Sequence, residues 1–567
     1  MKLLMRRTMI YLLLASLIIP FLPPGTAKAA ASNWVMADGG GANGLNVNPA
    51  YGSWLNTRTA VYNNVLYAAW TEKSATVDQI RVKSYNGSTW SSVDGGGATG
   101  LNIDTSQSAI NPDLAVYSNV LFAAWQESGK IRVKRYNGGS SWTSVDGGGL
   151  IGNASGSANA PRLAVANNVL YVTWYESVNG VYQIRVMSFN GASWISADGG
   201  GLTGLNINTA NSAMYPTLAV FGNVLYLAWY ESDTAFFQVR VKKYNGTSWT
   251  SADGGGATGL NADPAYAHGI MPELVEFNGA LYATWTESNQ IRVKKYDGAS
   301  WASADGGGSS GLNVNAARNA SVPKLTVYNN ALYAIWLESN GTIAQVRVKK
   351  YDGTTWSSMD DGGTTGLNVN TGINAAYPSL QVFNGSLYAF WMENNGSNGQ
   401  VRAATMLTNA ATPSIGTQPT AKTVNVGGTA TLSVTASVSD GGTLSYQWYS
   451  NTSNSTSGGT LVSGASSASY NAPTTAAGTR YYYVVVTNTN ASVNGTKTAT
   501  ATSSVVSVVV NPIVNAATPT IGTQPTAKTV DVGGTATLSV AASVSDGGTL
   551  SYQWYSNTTN STSGGTL

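Results

Sequence analysis

Chemistry in this chain would have to come from few residue types. Cysteine is absent and His268 is the only histidine. Thiolate catalysis and Cys-ligated metals are therefore excluded, and a lone imidazole builds neither a histidine metal cluster nor a Ser-His-Asp set. The carboxylates are of two kinds. Glu72, Glu127, Glu176, Glu231, Glu287, Glu338 and Glu393 recur in one repeated frame, whereas Asp78, Asp113, Asp233, Glu273 and Glu276 do not repeat and are scattered along the chain. Glycoside chemistry needs a defined pair of carboxyls, and no such pair stands out, so no catalytic residue is assigned. An Asp-Gly-Gly-Gly-x-x-Gly-Leu-Asn-x-Asn/Asp tail, as at Asp94 to Asp104 and Asp253 to Asp263, offers oxygens that could hold Ca²⁺. It lacks the dense carboxylates of a calcium loop, and Asp and Asn capping their own turns explain it more cheaply, so no cofactor or metal is expected. What remains suits recognition. Tyr51, Trp54, Tyr215, Tyr266 and Tyr377 lie near Asn102, Asn206, Asn261, Asn313 and Asn368, with His268 among them. Flat rings stack on sugar faces while amides bond hydroxyls, the combination a concave sugar site needs.

These residues hang on a repeat. Leu-Tyr-x-x-Trp-x-Glu or a close variant returns with its tryptophan at Trp70, Trp125, Trp174, Trp229, Trp285, Trp336 and Trp391, spaced by 49 to 56 residues. Around it recur a Pro-x-Leu-x-Val opening, an Ile/Val-Arg-Val-Lys run and a Tyr-Asn-Gly-x-x-Trp turn. Periods of this size with four short strands per unit are the signature of propeller blades. In the second unit the strands are expected at Asp113 to Tyr117, Val120 to Glu127, Ile131 to Tyr136 and Ser141 to Val145, with side chains alternating between two largely apolar faces. Counting across Ser128-Gly129 sets Trp125 opposite Arg132, and across Ser288-Asn289 sets Trp285 opposite Arg292, so a guanidinium is expected over each indole.

The two ends of the array complement each other. Trp34 to Gly41 matches a fourth strand and tail with no preceding three strands, and no fourth strand follows Gln400-Val401-Arg402. The N-terminal strand should therefore complete the last blade of a seven-bladed, all-β ring over residues 32–407. Short Asn-Asn and Asn-Gly turns trim one face of that ring. The longer loops emerge on the other, where several similar weak sites would give multivalent binding, with the shortened Gly149 to Pro161 loop degenerate.

The aromatic-rich blades closed by a terminal strand resemble those of bacterial and fungal seven-bladed propeller lectins. Ser92-Val93-Asp94-Gly95-Gly96 and its copies more distantly resemble the opening of the Asp-box of sialidase-type propellers, departing where Ala98-Thr99 replaces Thr-Trp. The lectin resemblance implies a propeller that binds carbohydrate or glycoconjugate through its long-loop face without catalysis. The sialidase resemblance implies, as the alternative, a glycoside-active enzyme, and a purely structural or protein-binding surface element is the third reading.

Residues 1–29 read as a secretory signal: Lys2, Arg6 and Arg7 precede an apolar run from Met9 to Leu22, and Ala27-Lys28-Ala29 is a small-x-small cleavage site. Its removal takes the formal charge from +3 to about −1, so no basic field for nucleic acid survives, and no other segment is long and apolar enough to span a membrane. A secreted, extracellular or cell-surface location is expected. Residues 408–413 form a linker. Residues 414–511, with Ser445 to Tyr449 and Tyr481 to Val486, resemble an immunoglobulin-like β-sandwich of bacterial surface proteins without its cysteine pair. After a second linker at 512–518 the module restarts at 519–567, where it ends midway, and this resemblance implies further copies and a cell-wall-binding module downstream.

Overall fold

The computed structural model describes residues 33–567, apart from 42, 49, 98, 153–155, 202, 234, 235, 257, 258, 264–267, 309, 361–364 and 395–397; the side chains of 54 and 55 are also outside the description. The expected signal at 1–29 lies outside the described residues. No helix among them is long and apolar enough to cross a membrane.

The repeated units form seven four-stranded antiparallel sheets, each in sequence order except the last. The second sheet runs Ala109–Tyr117, Val120–Glu127, Lys130–Gly138 and Ser141–Ser144. Its first strand begins earlier than expected because a β-bulge between Ile110 and Asp113 lets the strand pass through Pro112, which has no N–H to give the ladder. In the last sheet Trp34–Met36 pairs antiparallel with Gly399–Met406, Trp34 opposite Met406 and Met36 opposite Ala404. The all-β propeller closes through this strand.

Apolar clusters fill the gaps between neighbouring sheets, each built on a fully buried tryptophan of the repeat. One joins Leu66, Ala68 and Trp70 to Phe390, Val401 and Ala403 and so carries the core across the point of closure. A hoop of hydrogen bonds runs around the ring: the fourth-strand indole of each sheet donates to a backbone carbonyl of the sheet before it. Trp142 Nε1 bonds Val93 O at 2.9 Å, Trp90 Nε1 bonds Ala37 O at 2.8 Å and Trp34 Nε1 bonds Met359 O at 2.9 Å. The first-to-second connections are two-residue hairpins with both residues left-handed, such as Asn63 (φ 49°) and Asn64 (φ 55°), the geometry that matches strand twist and that asparagine tolerates.

Residues 409–491 and 496–567 form a separate compact unit. Its main sheet has six strands, with Thr443–Asn451 antiparallel to Gly478–Thr489 and Lys422–Asn425 parallel to Val506–Asn511. Trp448, Val484 and Val486 of this sheet pack against Leu432 of the Ala430–Ser433 strand, which pairs with Ser469–Ala472. In the following repeat only Thr520–Thr523 and Ala541–Ser543 form strands, and Trp554, the counterpart of the buried Trp448, is 45% exposed.

Candidate functional site at the propeller axis

The repeated polar residues are consumed by the scaffold. Each repeat arginine is ion-paired, Nε to Oδ2, with the aspartate of its own sheet's Asp-Gly-Gly tail at 2.9–3.1 Å: Arg81–Asp94, Arg132–Asp146, Arg185–Asp198, Arg240–Asp253, Arg292–Asp305, Arg347–Asp360 and Arg402–Asp38. Asp94 also accepts from the backbone N–H of Val82 through Oδ2 and of Gly96 through Oδ1. The tail is thus a clamp on the third strand, and among the described residues no His, Asp or Glu cluster is placed to hold a metal.

The expected register holds, Trp125 opposite Arg132 and Trp285 opposite Arg292. The cation over the indole is nevertheless lysine, because arginine is committed to aspartate. Lys134, Lys242, Lys294 and Lys349 lie 5.7–6.0 Å from the ring centres of Trp125, Trp229, Trp285 and Trp336. In six sheets the indole N–H donates to the glutamate two residues on, as Trp125 Nε1 to Glu127 Oε2 at 2.7 Å.

Five of the asparagines expected at the ligand lie elsewhere. Asn102, Asn206, Asn261, Asn313 and Asn368 are buried and spend their amides on backbone. Asn102 accepts from Ile80 N at 3.1 Å and donates to Asp78 O and Gln107 O; Asn206, Asn261, Asn313 and Asn368 accept in the same way from Ile184, Val239, Ile291 and Val346. Where the short fourth strand ends, these side chains continue its pairing and cover the third strand's open edge. The next residues are held by the following sheet, Ile103 N and Asp104 N donating to Glu127. The inter-blade loop is a clasp between neighbours, so its amides do not reach out to hydroxyls.

What does not repeat gathers at the axis. The bulge on each innermost strand from the second sheet onward puts one non-glycine residue in the left-handed region: Asn111, Ala160, Tyr215, Met271, Val322 and Tyr377, φ 47° to 57°. Such backbone costs roughly 1–3 kcal/mol per residue, and even β-branched Val322 adopts it, so the surrounding sheet enforces the bend. Each is followed by proline, and the residue after the proline holds the same register in every sheet. Asp113, Arg162, Thr217, Glu273, Lys324 and Ser379 pair with Ala124, Thr173, Ala228, Thr284, Ile335 and Phe390, and Arg58 takes this place in the first sheet opposite Ala69. Asp113 and Glu273, which look scattered in the sequence, therefore belong to one ring with three cations. Arg58 Nε lies 3.6 Å from Asp113 Oδ1, and Lys324 is ion-paired with Glu273. The signal that finds this ring is the residue after each proline. Burial alone would raise the Glu273 carboxyl, but Lys324, Arg58 and Arg162 hold it below the ordinary range.

Above the ring stands an aromatic run. Tyr182, Tyr175, Tyr215, Tyr230, Phe237 and His268 follow one another with ring centres 5.2–5.7 Å apart, from the third sheet to the loop before the fifth. Tyr215 and Tyr377 sit on strand bulges rather than in loops. Tyr377, pushed up to about 12 by burial, comes within electrostatic range of Tyr215 three sheets away, which sets both at the axis. His268 Nδ1 accepts from Phe237 N at 3.2 Å, and burial lowers the imidazole against the opposing effect of Asp233. Tyr51 is half-buried at the first clasp, its carbonyl accepting from Asn46 Nδ2. Tyr266 and the side chain of Trp54 lie outside the described residues.

No family model matches the chain, and no curated protein sequence matches it. Among solved structures it is similar to a Trypanosoma rangeli sialidase, with 13% identity over 62% of this chain and 55% of that one and a TM-score of 0.37. It is similar also to a polysaccharide lyase, with 11% identity over 62% of this chain and 89% of that one at a TM-score of 0.40. A third is a Coprinopsis cinerea alpha-L-arabinofuranosidase catalytic domain, with 11% identity over 44% of this chain and 90% of that one at 0.29. The chain spans about half the length of three of the sialidase structures it matches, 54–55%, and 87% of another. At these scores the likeness carries no argument about activity.

Proposed function

We propose that the chain is a non-enzymatic binding protein, secreted or displayed at a cell surface, whose propeller takes a carbohydrate or glycoconjugate on the tyrosines at the long-loop end of its axis. The observation that carries this reading is the run from Tyr182 to His268, because contiguous rings that stay partly exposed, as all of these but the buried Tyr230 do, suit the apolar faces of sugars. Tyr175 and Tyr230 hold one repeat position and Tyr182 and Phe237 another, and the other five sheets carry no aromatic ring at either, which favours one site over several equivalent ones. Hydrolysis is less well supported: a general acid needs an accessible carboxyl held protonated, and Glu273 at the axis is pulled toward its ionised form while Glu393, which burial pushes up to about 7, is buried in the scaffold and accepts from Asn370 N. The sandwich unit serves as a stalk in this reading. A glycan array tests it directly. Binding of at least one glycan class with micromolar or better affinity, reduced by Tyr215→Ala in a folded variant, is expected; no binding across the array, or turnover of a glycoside substrate, would reject the reading.

A further inference from the structure

The axial ring carries more positive than negative charge where water is largely excluded. Three cations, Arg58, Arg162 and Lys324, face two carboxylates. Asp113 is already shared between Arg58 and the backbone N–H of Leu163, which donates to Oδ2 at 2.7 Å, and Glu273 is taken by Lys324. Among the described residues Arg162 has no carboxylate within ion-pair distance, and its Nη1 donates to the neighbouring carbonyl of Pro161 at 2.8 Å. Two further groups point to a missing partner. Arg58 Nη2 and Ser379 Oγ are buried without a hydrogen-bond partner, although Ser379 is only 8% exposed and stands in the same register. Buried donors left unmatched in this way cost free energy unless an acceptor arrives.

The basic groups register the shortage. Burial, reinforced by the like charge of Arg58 and only partly offset by Asp113 and Glu273, lowers Arg162 to about 10. Burial likewise lowers Lys324 to about 8, in spite of Glu273. Tyr215 is near enough to act on Arg162 electrostatically, so the aromatic run adjoins the charge ring.

We infer that the axis holds an oxyanion site centred on Arg162, assisted by Arg58 and the Ser379 hydroxyl, which takes the carboxylate or sulfate of an acidic sugar whose ring lies on Tyr215. A planar guanidinium can meet either anion with two parallel N–H···O bonds. This rests on the carbohydrate reading above and narrows its ligand to the acidic class.

The test is calorimetric titration of the full chain with glucuronate, galactose 6-sulfate, glucose, galactose and inorganic sulfate. Glucuronate or galactose 6-sulfate should bind about tenfold or more tighter than its neutral parent, with affinity falling as salt rises. Arg162→Met should abolish that preference while leaving the weaker neutral-sugar binding intact. Arg162→Lys, checked for folding by thermal unfolding, should retain part of the preference through charge without the bidentate fit, and stands in if the methionine variant fails to fold. Acidic and neutral sugars binding equally, through Tyr215, would overturn the anion site and leave the carbohydrate reading standing. Inorganic sulfate binding as tightly as the sulfated sugar would overturn the assignment to a sugar-borne anion. Sulfate binding with no saccharide bound would sink this proposal and the carbohydrate reading together.

Discussion

Arg402 Nε stands 3.0 Å from Asp38 Oδ2, so the last third strand of the propeller is ion-paired to the tail of its first described strand. Six other sheets make the same bond within one stretch of chain; only here does it tie the two ends of the ring. Removing one partner of a buried pair strands the other charge, at about 3–5 kcal/mol. Asp38→Ala should therefore lower the unfolding midpoint, and deletion of residues 33–41 should lower it further, since that also removes buried Trp34. A midpoint unchanged in either variant would contradict closure through this strand.

A pH-dependent weakness is expected in the last sheet. Among the described residues Trp391 Nε1 has no hydrogen-bond partner, and neither does Glu393 Oε1, unlike the six paired tryptophans. Burial pushes the Glu393 carboxyl up to about 7, against opposing hydrogen bonds from Asn370 and Val369 and the charge of Arg402. A folded value above the ordinary 4.5 means that the folded state holds this proton longer than the unfolded chain does. The contribution is complete below pH 4.5 and is lost as the pH rises through about 7. Glu393→Gln should flatten that slope, making the variant more stable than wild type at pH 8 by up to about 3 kcal/mol and by much less at pH 5. Parallel denaturant melts at the two pH values measure the difference.

Within one sheet the two cations should separate cleanly. Lys134 over Trp125 is a cation–π contact of roughly 0.5–2 kcal/mol, so Lys134→Met should cost no more than that. Asp146→Ala, which leaves Arg132 unpaired, should cost about 3–5 kcal/mol. Chemical denaturation of both variants decides, and the reverse order would mean that the indole contact dominates.

If the axial tyrosines form the binding face, Tyr215→Ala and Tyr377→Ala should each weaken glycan binding by about 1 kcal/mol or more, roughly fivefold, without unfolding the ring. Variants of Asn86-Gly87 or Asn245-Gly246, on the trimmed end, should bind as wild type. Surface-immobilised titration of the four proteins reads this out, and loss in the turn variants alone would move the site to the other face.

The two tandem copies at 414–511 and 519–567 should respond unequally to the same change. Trp448 is fully buried and its Nε1 donates to Ser467 O at 2.9 Å, so Trp448→Ala should cost about 3–5 kcal/mol. Trp554→Ala, at 45% exposure, should leave the melting curve nearly unchanged. Differential scanning calorimetry of the two variants gives the comparison.

The scaffold was legible because its determinants repeat. Alternation around Trp125 places Val120 to Glu127 as a strand, and the missing strands at Trp34 and after Arg402 announce closure. The roles of the polar repeats were not legible, since spacing shows that Arg132 faces Trp125 but not that Asp146, arriving from the tail, claims the guanidinium first. Asn102 likewise looks like a loop amide until the third strand's open edge is seen beside it. The axial ring escaped for a different reason. Its members are one per repeat and differ in charge, so Asp113 and Glu273 resemble noise until the bulge at each proline fixes their common register.

Closure by Trp34–Met36 also orders the birth of the fold. This strand is among the first described segments to leave a ribosome, yet its partner, Gly399–Met406, is made after six other sheets. Each intermediate sheet can form as its own four strands emerge, but the circle cannot shut until chain growth has passed Met406. Until then both ends of the arc expose apolar sheet faces, and the nascent chain is most open to mispairing with a neighbour. The final step joins the most distant strands of the ring, so it should be the slow, topology-limited event in refolding, with six sheets and three strands of the seventh already present.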